Sequence, residues 1–297
     1  VGTPTFIFLS SFVLFYSYAD RDFSSKLLAK FYRNRVLYIF TPYFLFSIIY
    51  FALVLIFYHN ISQINVADTL LSFLQKLATG KVYAHLYFVF VNLQFYIMFP
   101  AILWLFKTRP KLLVHAVWLG FAVQWLFFYL NHYFWHVPYK GSWAFTYFSY
   151  YCLGAYIGVY YQSVLDALRG FGKYLLWGAW LAAGAFHVYV YHMYRIYGKA
   201  WNTQIFELAW NAHTILTALV IFHAVFALYR RIPTLLRKTL GHLGAHSFGI
   251  YLLHPLILAV YRKVALPQGG EAWIYHLMVA LGWAAALFIS WFVVAWT

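Results

Sequence analysis

The sequence predicts an all-α fold, a polytopic integral membrane helical bundle. Of its 297 residues, 65% are hydrophobic and 9% are charged, whereas roughly a quarter of a soluble domain is charged. Apolar stretches long enough to cross about 30 Å of hydrocarbon, at about 1.5 Å per residue, recur along the whole chain. These stretches are too continuous for the alternation of a β-barrel, and a lipid-exposed strand edge would leave backbone groups unpaired, so the spans must be helices.

Nine spans are predicted, in a single integral membrane domain that covers residues 1–297. They lie near residues 3–18, 36–58, 86–106, 113–131, 144–161, 174–194, 207–228, 248–266 and 274–296. No internal repeat, low-complexity tract or linker separates them, which favours one domain. The one cysteine, Cys152, falls inside a span, so the sequence carries no disulfide framework.

Three segments between the spans have predictions of their own. Residues 19–35 are the most charged segment, and their spacing predicts a short cytoplasmic helix that runs into the second span. Residues 68–77 place apolar side chains at helical spacing, which predicts a helix that lies on the membrane surface or dips back into it, with Asp68 as its cap. Residues 229–247 are predicted to form a basic cytoplasmic connection that is interrupted by Pro233 and Gly241.

The basic residues predict the orientation in the membrane. When the loops alternate, fourteen of the 21 Lys and Arg residues fall on one side and seven on the other, and the richer side is assigned to the cytoplasm. This assignment places Val1 outside and predicts one earlier span, ten in all. The basic residues behind the net charge of +15 lie beside the spans, where they interact with anionic lipid headgroups. They form no separate module, so nucleic-acid binding is not predicted.

Polar side chains inside the spans are candidates for function, because hydrocarbon makes them costly. Three stripes each share one helix face. They are His85, Asn92 and Tyr96 in span 3, Glu207, Asn211 and Thr214 in span 7, and Ser247, Tyr251 and His254 in span 8. A structural role between helices is favoured for a single Asn or Thr, whereas a functional role is favoured for His254, about two turns inside the membrane. His85 and Glu207 lie near the outer interface and fit either role.

Arg33 and Arg35 lie at the cytoplasmic mouth of span 2, beside Lys30. Guanidinium groups offer a planar fork of donors that matches phosphate oxygens, although on position alone ordinary anchoring by basic residues explains them better. No HExxH motif, CxxC motif or carboxylate cluster occurs, so no metal site is predicted.

Five segments, taken together, carry a resemblance. They are Phe6-Ile-Phe-Leu-Ser-Ser-Phe-Val-Leu, Arg35-Val-Leu-Tyr-Ile-Phe-Thr-Pro-Tyr, His85-Leu-Tyr-Phe, Phe148-Ser-Tyr-Tyr-Cys-Leu-Gly-Ala-Tyr-Ile-Gly and Ser247-Phe-Gly-Ile-Tyr-Leu-Leu-His-Pro-Leu-Ile-Leu. In order and spacing they resemble the membrane-bound acyltransferase family 3, over essentially the whole chain. The likeness is greatest to the Gram-positive branch, which includes a protein associated with poly-N-acetylglucosamine biofilm polymer.

The resemblance implies a multi-pass O-acyltransferase of the bacterial plasma membrane. It implies acyl-CoA, either acetyl-CoA or succinyl-CoA, as the cytoplasmic donor, and the hydroxyls of a cell-surface polysaccharide such as poly-N-acetylglucosamine as the acceptor. A complex with a glycan synthase is a further implied partner. On this hypothesis Arg35, helped by Arg33, holds the donor phosphates. His254 and Tyr251 line a buried tunnel near the reacting carbonyl, and His85 with Glu207 faces the acceptor.

The chain departs from the family pattern in two places. Many members carry Arg-x-x-Arg at the cytoplasmic mouth, but the second place here is Tyr38, so a two-arginine clamp would need Arg33. The family's first span supplies a histidine regarded as the catalytic base, and that span is not among these residues.

Two other classes of function remain open. Buried polar stripes suit a glycan exporter or a lipid-linked-sugar flippase equally well, although the sequence lacks the paired, interrupted helices that usually indicate inverted repeats. A structural partner of a glycan synthase is the third alternative.

Overall fold

The computed structural model describes residues 2–58, 65–198, 202–229, 231–264 and 272–296. Within these ranges the regular structure is helical, which confirms the all-α class. Val1, which the charge distribution places outside the cell, and the end of the eighth predicted span at residue 266 lie outside the described residues. Contacts divide the chain into two compact units. The first is Val1–Phe40 with Tyr87–Leu228, and the second is Thr41–Leu86 with Tyr229–Thr297.

Twelve α-helices are present in the described part of the chain. They are α1 (Gly2–Tyr18), α2 (Ser25–Arg35), α3 (Thr41–Tyr58), α4 (Val66–Leu77), α5 (Tyr87–Thr108), α6 (Pro110–Val114), α7 (Ala116–Leu130), α8 (Phe148–Ala167), α9 (Phe171–Tyr197), α10 (Thr203–Tyr229), α11 (Thr234–Val264) and α12 (Ala272–Trp296). A π-helical turn, Val36–Phe40, joins α2 to α3, and a second, Asn131–Trp135, follows α7.

Five helical stretches are long and apolar enough to cross a membrane. They are Ser25–Phe57, Tyr87–Thr108, Gln204–Tyr229, Thr234–Lys263 and Trp273–Trp296. These correspond to the second, third, seventh, eighth and ninth predicted spans. The other four predicted spans also lie on helices, but in the described residues those helices do not meet the same criteria of length and composition. The multi-pass character is therefore supported, and the count of nine is not confirmed.

The first unit is centred on α8, which packs against α1 and α7. Gly154 and Gly158 let the backbone of α1 approach α8 closely, because a Cβ atom at Gly154 would lie 2.4 Å from the carbonyl oxygen of Phe8. Aromatic rings fill the adjoining core. The rings of Phe95 and Tyr151 stack with their centroids 4.2 Å apart and their planes 3° from parallel.

A fully buried polar network joins α7, α8 and α10 within this unit. Gln124 donates from Nε2 to Asn211 Oδ1 over 2.8 Å, and its Oε1 accepts from the backbone N–H and the hydroxyl of Ser149. Tyr150 donates to the same Asn211 oxygen, and Asn211 Nδ2 donates to the carbonyl of Glu207. The structure thus agrees with the structural interpretation of Asn211, since its amide links three helices.

We expect Gln124→Leu to destabilise the first unit by about 1–3 kcal/mol, the usual cost of leaving a buried polar group unpaired. Ser149 is the second residue of α8, so its N–H has no acceptor within the helix and depends on Gln124. The midpoint of thermal unfolding in detergent, followed by tryptophan fluorescence, measures the effect.

The matched control for this substitution is Asn92→Leu. Asn92 is also a buried amide, but it donates to the carbonyl of Phe88 in its own helix, so its removal leaves no donor unpaired. Equal losses of stability in the two variants would show that the network has no special role.

The second unit consists of α3, α4, α11 and α12, with α11 packed along α12. Tyr261 of α11 donates to the carbonyl of Met278 over 2.8 Å. α3 is joined to α11 by Tyr50, whose hydroxyl donates to the carbonyl of Leu252 over 2.7 Å. The predicted interruption of the basic connection at Gly241 is wrong, because α11 begins directly after Pro233 and continues through Gly241.

The helix predicted at residues 68–77 is present as α4. Phe73 packs against the rings of Phe44 and Phe51 on α3. The predicted cap is wrong, because the side chain of Asn65 accepts from the N–H of Ala67 and Asp68 lies inside the first turn. Asn65 fits this role since an N-cap side chain must precede the helix.

Candidate functional site

An aromatic and imidazole cluster in the second unit gathers three of the predicted site residues. Tyr251 and His254 lie on one face of α11, and His85 lies in the turn that ends at Leu86. The ring centroids of His85 and His254 are 5.9 Å apart, and those of His85 and Tyr251 are 5.3 Å apart. The structure thus brings together two histidines that are 169 positions apart in the sequence.

Two tyrosines were not predicted and complete this histidine cluster. Tyr50, which is fully buried, places its ring 5.0 Å from that of His85. Tyr83 stacks on Tyr50 with the ring centroids 4.4 Å apart. No local signal distinguishes these two residues in a chain with 28 tyrosines, because their role depends on contacts made after folding.

Hydrogen bonds fix the positions of the rings. Tyr50 donates to the carbonyl of Leu252, which ties α3 to α11 two residues before His254. Tyr251 donates to the backbone carbonyl of His85, which holds the turn against α11. The cluster is therefore positioned by side-chain bonds to backbone and does not depend on the imidazoles themselves.

The surroundings of the two imidazoles differ. His254 Nδ1 lies 3.1 Å from the carbonyl oxygen of Ile250. Because a carbonyl can only accept, Nδ1 is the donor in this contact and Nε2 is left for another partner. Neither ring nitrogen of His85 has a hydrogen-bond partner among the described residues. Burial first, and then the neighbouring His254, lower the pKa of His85 to about 4.

A neutral imidazole with a free ring nitrogen can accept a proton from a hydroxyl group. His85 meets this description, because its pKa is lowered to about 4 and neither of its ring nitrogens has a hydrogen-bond partner among the described residues. The arrangement is therefore suited to general-base chemistry on a hydroxyl substrate, although the catalytic roles of His85, Tyr251 and His254 stay predictions.

Arg35 belongs to the first unit and is held between two aromatic rings. Its guanidinium carbon lies 5.2 Å from the ring centroid of Phe31 and 4.7 Å from that of Tyr96. Its Nε is buried and has no partner among the described residues. Such stacking orients the guanidinium while leaving its N–H donors available for an anion. Arg33, two residues earlier on α2, is exposed, and its role stays a prediction.

Glu207, the fourth residue predicted to take part in catalysis, forms an ion pair, and its catalytic role stays a prediction. Its carboxylate pairs with the ammonium group of Lys140 within the first unit, whereas His85 belongs to the cluster of the second unit. Lys140 lies in the connection between α7 and α8, and no sequence pattern indicated this pairing because the two residues are 67 positions apart.

Comparisons with known proteins agree with this architecture. The family described as "Acyltransferase domain" matches residues 1–295. A relative from Staphylococcus aureus (strain MRSA252), named "Probable poly-beta-1,6-N-acetyl-D-glucosamine export protein", is 28% identical over 272 residues, which cover 86% of this chain and 69% of the relative. A protein of the same name from Staphylococcus epidermidis is 28% identical over 274 residues, covering 86% of this chain and 68% of the relative. No solved structure matches the chain significantly.

The family match covers nearly the whole chain, and the matched residues include α1 to α11 and all but the last residue of α12. Together with the five apolar helices, it identifies a multi-pass bacterial membrane protein. The chain belongs to the membrane-bound acyltransferase family 3.

Proposed function

We propose that this protein is a membrane O-acyltransferase that moves an acetyl or succinyl group from cytoplasmic acyl-CoA to hydroxyls of a cell-surface polysaccharide. Its family supports the reaction class. The single observation that carries the proposal is the pair of imidazoles, His85 and His254, with ring centroids 5.9 Å apart. Acyl transfer to a hydroxyl needs a base of this kind.

The proposed step begins when His254 Nε2 takes the proton of the acceptor hydroxyl. The hydroxyl oxygen attacks the thioester carbonyl, the carbon–oxygen bond forms and the carbon–sulfur bond breaks. The proton held by the imidazole then passes to the leaving thiolate, so one ester and one thiol result. Tyr251 and His85 position the reacting groups through the hydrogen bond that joins them.

Arg35 is assigned to the phosphates of the donor. Its stacked guanidinium, with Nε unpaired among the described residues, supports this role, because guanidinium groups bind phosphate oxygens in charge-assisted pairs. Arg33, two residues earlier in the chain, is exposed and would add long-range attraction.

The acceptor is proposed from the relatives. Two of them are named for poly-beta-1,6-N-acetyl-D-glucosamine, which supports an N-acetylglucosamine polymer as the glycan. A complex with the synthase of that polymer is part of the same proposal.

Export of the polymer is the second candidate function. The observation that favours it is the printed name of the relatives, which says export. The two functions predict different phenotypes, because a lost exporter removes the surface polymer and a lost acyltransferase leaves the polymer in place without its esters.

A deletion strain tests the choice between them. Surface glycan is collected from wild-type and deletion cells, its mass is measured, and its ester content is determined by mass spectrometry with and without mild alkali. We expect a similar mass of polymer with the ester removed. Loss of the polymer itself would support export, and an unchanged ester content in unchanged polymer would exclude both candidates.

A further inference from the structure

A cavity of about 440 Å³ opens in the first unit, between the end of α7, the connection to α8 and the start of α10. Small-molecule sites usually measure roughly 300–1,000 Å³, with aromatic walls and a few polar groups. This cavity has both features, and the charge distribution predicts that it opens on the outside of the cell. Of the predicted site residues, Glu207 lies in the wall of this cavity, and the others are not among its lining residues.

The cavity presents aromatic faces and amides. The aromatic lining includes Trp125, Phe128, Tyr129 and Tyr133, and the rings of Tyr129 and Tyr133 lie 4.8 Å apart and are half exposed. Rings of this kind give large contact area at low entropic cost and a polar tip for hydrogen bonds. They suit a ligand that has flat apolar faces and polar edges.

The amide groups supply donors to the same space. Asn131 Oδ1 accepts from the N–H of Val137 over 2.7 Å, and Asn202 Oδ1 accepts from the N–H of Gln204 over 2.8 Å. Because both oxygens are engaged by backbone, each amide keeps its NH₂ group for a ligand. A ligand with several hydroxyl or carbonyl acceptors matches this set.

The backbone around the cavity is strained, which is common at binding sites. A π-helical turn, Asn131–Trp135, ends α7, and such turns often occur at functional sites. Two non-glycine residues, His136 and Tyr139, have left-handed backbone angles with φ of 48° and 62°. The strained connection is held in place by Gln94 of α5, which donates to the carbonyl of Ser142 and accepts from the N–H of Ala144.

The charges of the cavity cancel each other. Lys140 and Glu207 form an ion pair in its wall, and Lys140 also lies 5.1 Å from the ring centroid of Phe128. A cationic ligand would have to displace Lys140 from Glu207, and an anionic ligand would have to displace Glu207 from Lys140. The cavity therefore favours an uncharged ligand.

We propose that this cavity binds uncharged pyranose rings of a glycan chain, with the sugar faces against the aromatic rings and the hydroxyl or acetamido groups on the amides. The inference rests on the proposed function in taking this glycan as the acceptor. It adds a binding site in the first unit and a selection by charge, which the Lys140–Glu207 pair enforces.

Binding to the full-length protein in lipid nanodiscs tests the site without any acyl donor. The probe is a β-1,6-linked penta-N-acetylglucosamine, and its affinity is measured by isothermal titration calorimetry. We expect Trp125→Ala to weaken binding about tenfold or more, as removal of an aromatic anchor usually does. The matched control is Trp118→Ala, seven residues earlier on the same helix and exposed, which should leave the affinity unchanged.

A second binding measurement tests the selection by charge. The fully deacetylated pentasaccharide is cationic, and we expect wild-type protein to bind it more weakly than the acetylated probe. Lys140→Gln frees the carboxylate of Glu207 and should reverse this preference. An affinity for the acetylated probe that is the same in Trp125→Ala as in wild type, or no binding by wild type, overturns the proposal.

The outcomes separate this proposal from the proposed function. Trp125-dependent binding in a protein that transfers no acyl group would leave the glycan site intact and remove the acyltransferase assignment. Acyl transfer that is insensitive to Trp125→Ala, together with unchanged binding, would keep the enzyme and remove this site.

Discussion

His254→Gln is expected to lower the rate of acyl transfer about 10²–10⁴-fold, the usual contribution of a general base. Glutamine keeps a polar side chain of similar reach, but its amide cannot take a proton. The backbone ties of the histidine cluster, from Tyr50 to Leu252 and from Tyr251 to His85, do not involve the imidazole of His254. The variant should therefore fold, and its loss should appear in the rate of ester formation from labelled acyl-CoA.

Two further variants sharpen this measurement. His276→Gln changes an exposed histidine on α12 of the same unit and should retain the wild-type rate. Combining His254→Gln with His85→Gln should cost little more than the larger single effect if the imidazoles act as one unit, since such groups are strongly non-additive. A His254→Gln rate within a factor of about three of wild type would contradict the role of His254 as base.

Gly154→Val is expected to reduce the stability of the first unit by at least about 3 kcal/mol, the upper end of the usual cost of overpacking. A Cβ atom at Gly154 would lie 2.4 Å from the carbonyl oxygen of Phe8 and 2.7 Å from the Cβ of Ser11. Because one of these atoms is backbone, α1 would have to move away from α8. That movement would also break the hydrogen bond from Ser11 to the carbonyl of Tyr151, which measures 2.6 Å.

The control for this substitution is Gly178→Val. Gly178 lies inside α9, and a Cβ atom there would meet nothing within 4 Å, so the same change in helix propensity occurs without the clash. Thermal unfolding in detergent compares the two. Equal shifts in the unfolding midpoint would mean that the close approach of α1 and α8 contributes nothing.

Gly154 also shows what a sequence pattern can and cannot predict about helix packing. Gly154 and Gly158 form the small-xxx-small pattern that allows close packing of membrane helices. A close helix contact at this point of α8 could therefore be predicted from the sequence. The pattern does not name the partner. Only the structure shows that α1, about 140 residues earlier in the chain, lies against it.

Some features of the candidate site can be predicted from the sequence, and others depend on the fold. The stripe of Tyr251 and His254 follows from helical spacing and the cost of polar groups in hydrocarbon. The position of His85 beside them does not, since it depends on a turn folded against α11. Glu207 lies on a predicted stripe as well, but its pairing with Lys140 depends on a connection whose backbone angles no periodicity encodes.

By itself the sequence determined the fold class of this protein, an all-α membrane protein, because hydrophobic length and composition act locally along the chain. The resemblance to the acyltransferase family 3 came from five sequence segments. The sequence also singled out His254 as a polar side chain inside a span and Arg35 as a cation at the mouth of one. The tertiary structure alone decided which side chains meet. The histidine cluster, the aromatic rings around Arg35 and the cavity beside Trp125 are each assembled from segments that are distant in sequence, and such contacts are chosen by packing rather than by local pattern.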